Sequence, residues 1–198
     1  MRHRMLFITT LAATLLLAVL VESASARNFS TSSQAFRATF TNFEIEMPFG
    51  STRCQLTLDG SFHARTLAKV TDALIGYIDR PTLGPCAAGS ATVLAASLPW
   101  HVSYTSFIGT LPQITMIRTK ILGMALRLSN TFVTCLGTST AEAPVVATFF
   151  RSAFFRELTA IELTGEQATS CGVNWRHRST SSSLTLPLSS RKITLTLI

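Results

Sequence analysis

The side chains able to do covalent or metal chemistry in this 198-residue chain are few: Cys54, Cys86, Cys135 and Cys171, the histidines His63, His101 and His177 beyond the first turn of chain, and a thin set of acids. No H-x-H, H-E-x-x-H or C-x-x-C spacing joins them, so a metal site would need ligands gathered from distant strands, and no metal or cofactor is expected. The nucleophile-elbow pattern G-x-S-x-G and the common glycine-rich phosphate loops are absent. A serine hydrolase would have to assemble its parts from afar, with His63 or His101 as base and Asp59, Asp72 or Asp79 orienting it. Glycoside hydrolysis needs two carboxylates across a cleft; Glu44 and Glu46 share a strand face without a visible partner acid.

Two aromatic clusters could bind rather than react. In Trp100-His101-Val102-Ser103-Tyr104, alternation puts Trp100, Val102 and Tyr104 on one strand face and His101 on the other. Exposed, the aromatic face with His101 at its side would form a binding surface for a sugar or a partner. Its place inside a stretch without Lys, Arg, Asp or Glu, from Pro81 to Ile117, favours core instead. Trp175-Arg176-His177-Arg178 reads as a solvated turn, with contact to an anionic polymer as the functional alternative.

What the cysteines do depends on where the chain goes. Residues 1–26 combine Arg2 and Arg4, an apolar run from Met5 to Val21, and Ala24-Ser25-Ala26, which together read as an export signal with an A-x-A cleavage site. Export places the thiols where they oxidise, so the four cysteines are expected to form disulfides. Pairing in sequence order would join Cys54 to Cys86 and Cys135 to Cys171, although four cysteines allow three connectivities. The 17-residue apolar run is short for a retained membrane helix and no second one follows, so the mature chain is expected to have no transmembrane span.

Cleavage after Ala26 leaves 172 residues, enough for one domain that buries roughly 70% of its unfolded surface. It also removes Arg2, Arg4 and Glu22, leaving 15 basic and 9 acidic side chains and a formal charge of +6. That balance attracts anionic partners, such as an envelope polymer, through forces that salt screens. The basic residues are scattered, which argues against nucleic acid.

The elements that must position these groups read as strands. Residues 27–35 form a polar, flexible lead-in, and residues 36–198 a single all-β domain, an antiparallel sandwich or barrel with at most one short helix. The 28 Thr and 21 Ser, many between aliphatics, suit pleated surfaces with one wet face. Phe36–Met47 alternates, with a break near Thr41-Asn42; Cys54, Leu56 and Leu58 share an inward face. Asp59-Gly60 is the strongest turn signal and predicts a two-residue hairpin. The stretch from Leu67 to Ile78 leans to strand, and Phe150, Phe154, Leu158 and Ile161 could instead share a helical face. Ser179–Ser183 reads as a mobile loop, and Leu184–Leu188 with Ile193–Leu197 as a terminal hairpin about residues 189–192. A membrane barrel would need a lipid-facing apolar belt, and the two expected disulfides with Pro99 and Pro112 weigh against it.

Three stretches carry a likeness: Cys54 to His63 (C-Q-L-T-L-D-G-S-F-H), Leu98 to Pro112 (L-P-W-H-V-S-Y-T-S-F-I-G-T-L-P), and the ending from Leu184 to Ile198. Together they resemble a group of exported, β-rich bacterial proteins, chiefly actinobacterial, with no assigned activity. The resemblance implies export and paired cysteines and supplies no catalytic residue. The sequence therefore leads to an exported, noncatalytic β-sandwich module that binds an anionic envelope polymer or another exported protein, with a small exported hydrolase using His101 or His63 as the alternative.

Overall fold

A computed structural model describes residues 28–47, 50–111, 113–152, 156–181 and 184–198; the expected export signal over residues 1–26 lies outside them. In chain order the strands are β1 (Asn28–Thr31), β2 (Ala35–Met47), β3 (Gly50–Phe62), β4 (Thr66–Ala68) and β5 (Leu74–Cys86). They continue as β6 (Ser90–Val93), β7 (Trp100–Thr110), β8 (Gln113–Leu122), β9 (Ala125–Ser129) and β10 (Thr134–Thr138). The last are β11 (Val145–Arg151), β12 (Leu158–Ala168), β13 (Asn174–Ser181), β14 (Leu184–Thr185) and β15 (Leu195–Leu197). One 3-10 turn, Ala95–Ser97, is the helical element among the described residues.

The main sheet runs β13-β12-β11-β8-β7-β5-β3-β2, every neighbour antiparallel, and β13 pairs again with β2. The sheet thereby closes on itself, so the architecture is an up-and-down barrel rather than two stacked sheets, and the wall has no free edge. The closing seam has two parts. Arg176–Arg178 of β13 pair with Glu44–Glu46, while Leu184 and Thr185 of β14 pair with Ala38 and Arg37 nearer the start of β2. Between them β2 shifts register at Phe40/Phe43, where the sequence predicts its break, and the Ser179 hydroxyl donates to the Asn42 carbonyl at 2.8 Å. Such a bulge adds twist and lets one long strand serve two partners.

Alternation fills the barrel. Phe40, Phe43, Leu56 and Trp100 are wholly buried, joined by Ile45, Leu58, Ile78, Ile121, Ile161 and Leu163. Eight strands make a lumen that side chains can just fill, and two small voids of about 20 Å³ remain, lined by apolar groups and Thr119. Outward positions carry Arg53, Gln55, Thr57, Arg118, Glu162, Glu166, Arg176 and Arg178. Lipid requires an apolar belt on that face, and this wall is charged and hydroxylated. No helix among the described residues is long and apolar enough to cross a membrane.

Both mouths are covered. At one end β15-β1-β4 form a small sheet that drives Phe29, Leu67 and Leu195 onto the barrel; at the other, β10-β9-β6 bring Met124, Leu126 and Leu128. Two disulfides brace this plan. Cys54 and Cys86 are register partners on β3 and β5, and Cys135 on β10 is joined to Cys171 in the turn between β12 and β13, tying the second cap to the wall. The pairing in sequence order is the one observed.

Several local expectations are corrected. Asp59-Gly60 is no hairpin: β3 runs through it, because Asp59 accepts two hydrogen bonds from Arg37 across the strand pair, at 2.7 and 2.6 Å. Gly60 is there because the chain passes so closely that an added Cβ would sit 2.7 Å from Phe36 Cζ and against the Tyr77 carbonyl. Part of the expected flexible lead-in, Asn28–Thr31, is strand β1, paired on both edges, with Phe29 only 2% exposed. Phe150, Leu158 and Ile161 lie on β11 and β12 rather than on one helix; Phe154 lies outside the described residues. Ser179 and Ser181 end β13 and point inward, not into a loop; residues 182 and 183 lie outside the description. The Leu67–Ile78 stretch is two strands joined by a turn in which Asp72 adopts positive φ. The terminal hairpin begins as expected, Leu186 N–H donating to the Arg191 carbonyl, but Leu188 is exposed and β15 leaves to pair with β1.

Candidate functional site

The face of Trp100, Val102 and Tyr104 is core, as the uncharged stretch around it favours, so the alternative of a binding surface at Trp100, His101 and Tyr104 falls away. Trp100 is wholly buried, its Nε1–H donating to Ser97 Oγ at 2.9 Å, and Tyr104 is buried beside Phe29 with ring centroids 6.0 Å apart. Burial pushes the Tyr104 hydroxyl pKa up. Alternation on β7 leaves His101 alone outside, opposite Tyr77 of β5, against which His63 also lies at 5.7 Å between rings.

Neither histidine hydrogen-bonds a serine or a carboxylate among the described residues. The three acids proposed to orient them are each ion-paired to a base instead: Asp59 to Arg37, Asp72 to Lys120 at 2.9 Å, and Asp79 to Arg80 at 3.9 Å. No cluster of three or more metal-ligating side chains forms among the described residues. Two carboxylates do line one open groove, Glu46 and Glu166, on either side of Arg176. Glu166 accepts from Arg176 and Asn174, both at 3.1 Å, which holds its carboxyl below the usual range. Those contacts favour the ionised form of Glu166, the opposite of the raised pKa that a proton-donating carboxyl uses.

Trp175 and His177 are not in a turn. They face the lumen from β13 while Arg176 and Arg178 face solvent. Trp175 Nε1–H donates to Gln167 Oε1 at 2.7 Å, and its ring packs against Gly137 of the second cap. His177 lies 5.6 Å from the Phe43 ring, and burial lowers its pKa from 6.5 to about 4, so the imidazole is neutral.

The charged groups that do converge lie elsewhere. An open groove of about 580 Å³ runs over the start of β2 and the end of β3, lined by Arg37, Asp59, Arg80, Arg191 and the Leu186–Ser189 turn. Three arginines and one carboxylate line it. Asp59 engages Arg37 bidentately and raises its pKa, fixing the guanidinium in place; Arg80 makes a long contact to Asp79, and Arg191 has no ion-pair partner among the described residues. Leu188, 98% exposed, stands at the rim. Arg37, Arg80 and Arg191 lie 43 and 111 positions apart in the chain, so nothing in the local sequence marks them as neighbours. Their only sequence signal is the overall basic charge.

Comparison with protein-family models, with curated proteins and with solved structures finds no match to this chain.

Proposed function

We propose that this protein is an exported, noncatalytic β module that binds an anionic polymer of the cell envelope. The single observation carrying the reading is the groove lined by Arg37, Arg80 and Arg191 against one acid in its lining, Asp59. Guanidinium forks suit phosphate and carboxylate oxygens, and a pre-positioned one loses little freedom on binding. Export is supported by the A-x-A leader, by the likeness to exported actinobacterial proteins and by both disulfides, which belong to oxidising compartments. The filled lumen, with voids near the size of one water, directs binding to the outside of the barrel.

The test uses fluorescently labelled polyphosphate as the anionic probe and neutral dextran as its counterpart. The disulfide-intact protein binds polyphosphate, binds it more weakly as salt rises, and ignores dextran. Replacing Arg80→Ser and Arg191→Ser together weakens binding about tenfold or more. Undiminished affinity in the double variant refutes this assignment.

A further inference from the structure

At the far end of β2 from the arginine groove, beneath the β6-β9-β10 cap, lies a cleft of about 110 Å³, room for several waters. We propose that this cleft is a binding site for a short uncharged saccharide. Every described residue lining it is uncharged, so nothing in the wall selects an ion. Its polar equipment is hydroxyl and amide, from Ser51, Thr52, Ser90, Ser129 and Asn130, above an apolar floor that includes Leu128.

Some of that equipment is already engaged and some is free to bind. Thr52 Oγ1 donates to the Ala88 carbonyl at 2.7 Å and accepts from the Ala88 N–H at 3.2 Å, and Ser129 Oγ pairs with Thr134 Oγ1 at 2.8 Å. The Ser51 and Ser90 hydroxyls make no hydrogen bond among the described residues. Asn130 Oδ1 accepts from the backbone N–H groups of Phe132 and Val133, both at 2.8 Å, which fixes the amide and leaves its Nδ2 hydrogens to give. Gly89 keeps the rim low: it has φ of 67°, and a Cβ there would lie 2.6 Å from the Ser129 carbonyl.

The second observation is Phe132. The residue is 94% exposed, at the tip of the β9–β10 turn between the lining residues Asn130 and Val133, and its backbone N–H donates to Asn130 Oδ1. An exposed phenyl ring next in the chain to Val133, at a hydroxyl-lined cleft, offers what a sugar needs, an apolar plate for its C–H face and partners for its hydroxyls. The anion groove plays no part in this argument.

Amide NMR of the disulfide-intact protein tests it, with maltotriose and triacetylchitotriose as uncharged probes. At least one probe gives saturable shifts at Gly89, Ser90 and Asn130, insensitive to added salt. Phe132→Ala weakens that binding about tenfold, and Phe132→Tyr retains it. Because the ring is solvent-exposed, neither variant disturbs folding. The absence of saturable shifts with both probes, shifts confined to Arg37, Arg80 and Arg191, or equal affinity in Phe132→Ala would each overturn the proposal.

Discussion

His177 makes this barrel's stability depend on acidity in a way one substitution should abolish. The imidazole is 5% exposed, packed near Phe43 of β2 and against its register partner Gly165 of β12, with Gln167 beside it. The charged neighbours Glu44, Glu46, Glu166, Arg176 and Arg178 alternate onto the outer wall, so no carboxylate faces the ring from β2, β12 or β13. Its Nε2 has no hydrogen-bond partner among the described residues, and burial lowers the pKa from 6.5 to about 4. The unfolded chain protonates this group near pH 6.5 and the folded chain near 4. Between those values the unfolded state holds more protons, so stability falls as pH falls through the window and levels off below it. The separation corresponds to about 3 kcal/mol in total. Urea denaturation of wild type and His177→Gln at neutral pH and near pH 4 measures it. Wild type should lose about 3 kcal/mol more than the variant, whatever their difference at neutral pH. Parallel losses in the two proteins would refute the argument that burial keeps this histidine neutral.

Two further outcomes follow from packing. Gly60→Ala should destabilise the barrel by about 1–3 kcal/mol in the same assay, since the new methyl meets the Phe36 ring and the Tyr77 backbone, neither of which can retreat; a neutral effect would show that β3 and β5 are not so close. Replacing Cys135 and Cys171 by Ala should cost about 4 kcal/mol on the chain-entropy account and first raise amide exchange in β9 and β10, since that bond ties their cap to the wall; unchanged protection there would contradict this role.

Much of this was legible in the residues because a strand's side chains alternate whatever the partner. The inward faces of Phe36–Ile45 and of Cys54–Leu58, the bulge at Thr41-Asn42 and the core place of Trp100 follow from period two. Cysteine order also suggested the observed disulfides. Periodicity failed where a local preference met a distant partner. Asp-Gly is a good turn, yet Arg37 and the Phe36 ring, more than twenty positions away, recruit it into a strand. Asn28–Thr31 looks like a polar tail until β15, from the other end of the chain, pairs with it.

Closure of the sheet was decided only in three dimensions. Nothing along the chain announces that β13 returns to β2, because register between strands 130 to 134 residues apart depends on twist and strand count summed around the whole wall. The same holds for the two candidate sites. Composition could give a positive balance and abundant hydroxyls, but the meeting of Arg37 with Arg191, and of Ser51 with Asn130, is a property of the closed barrel and its caps.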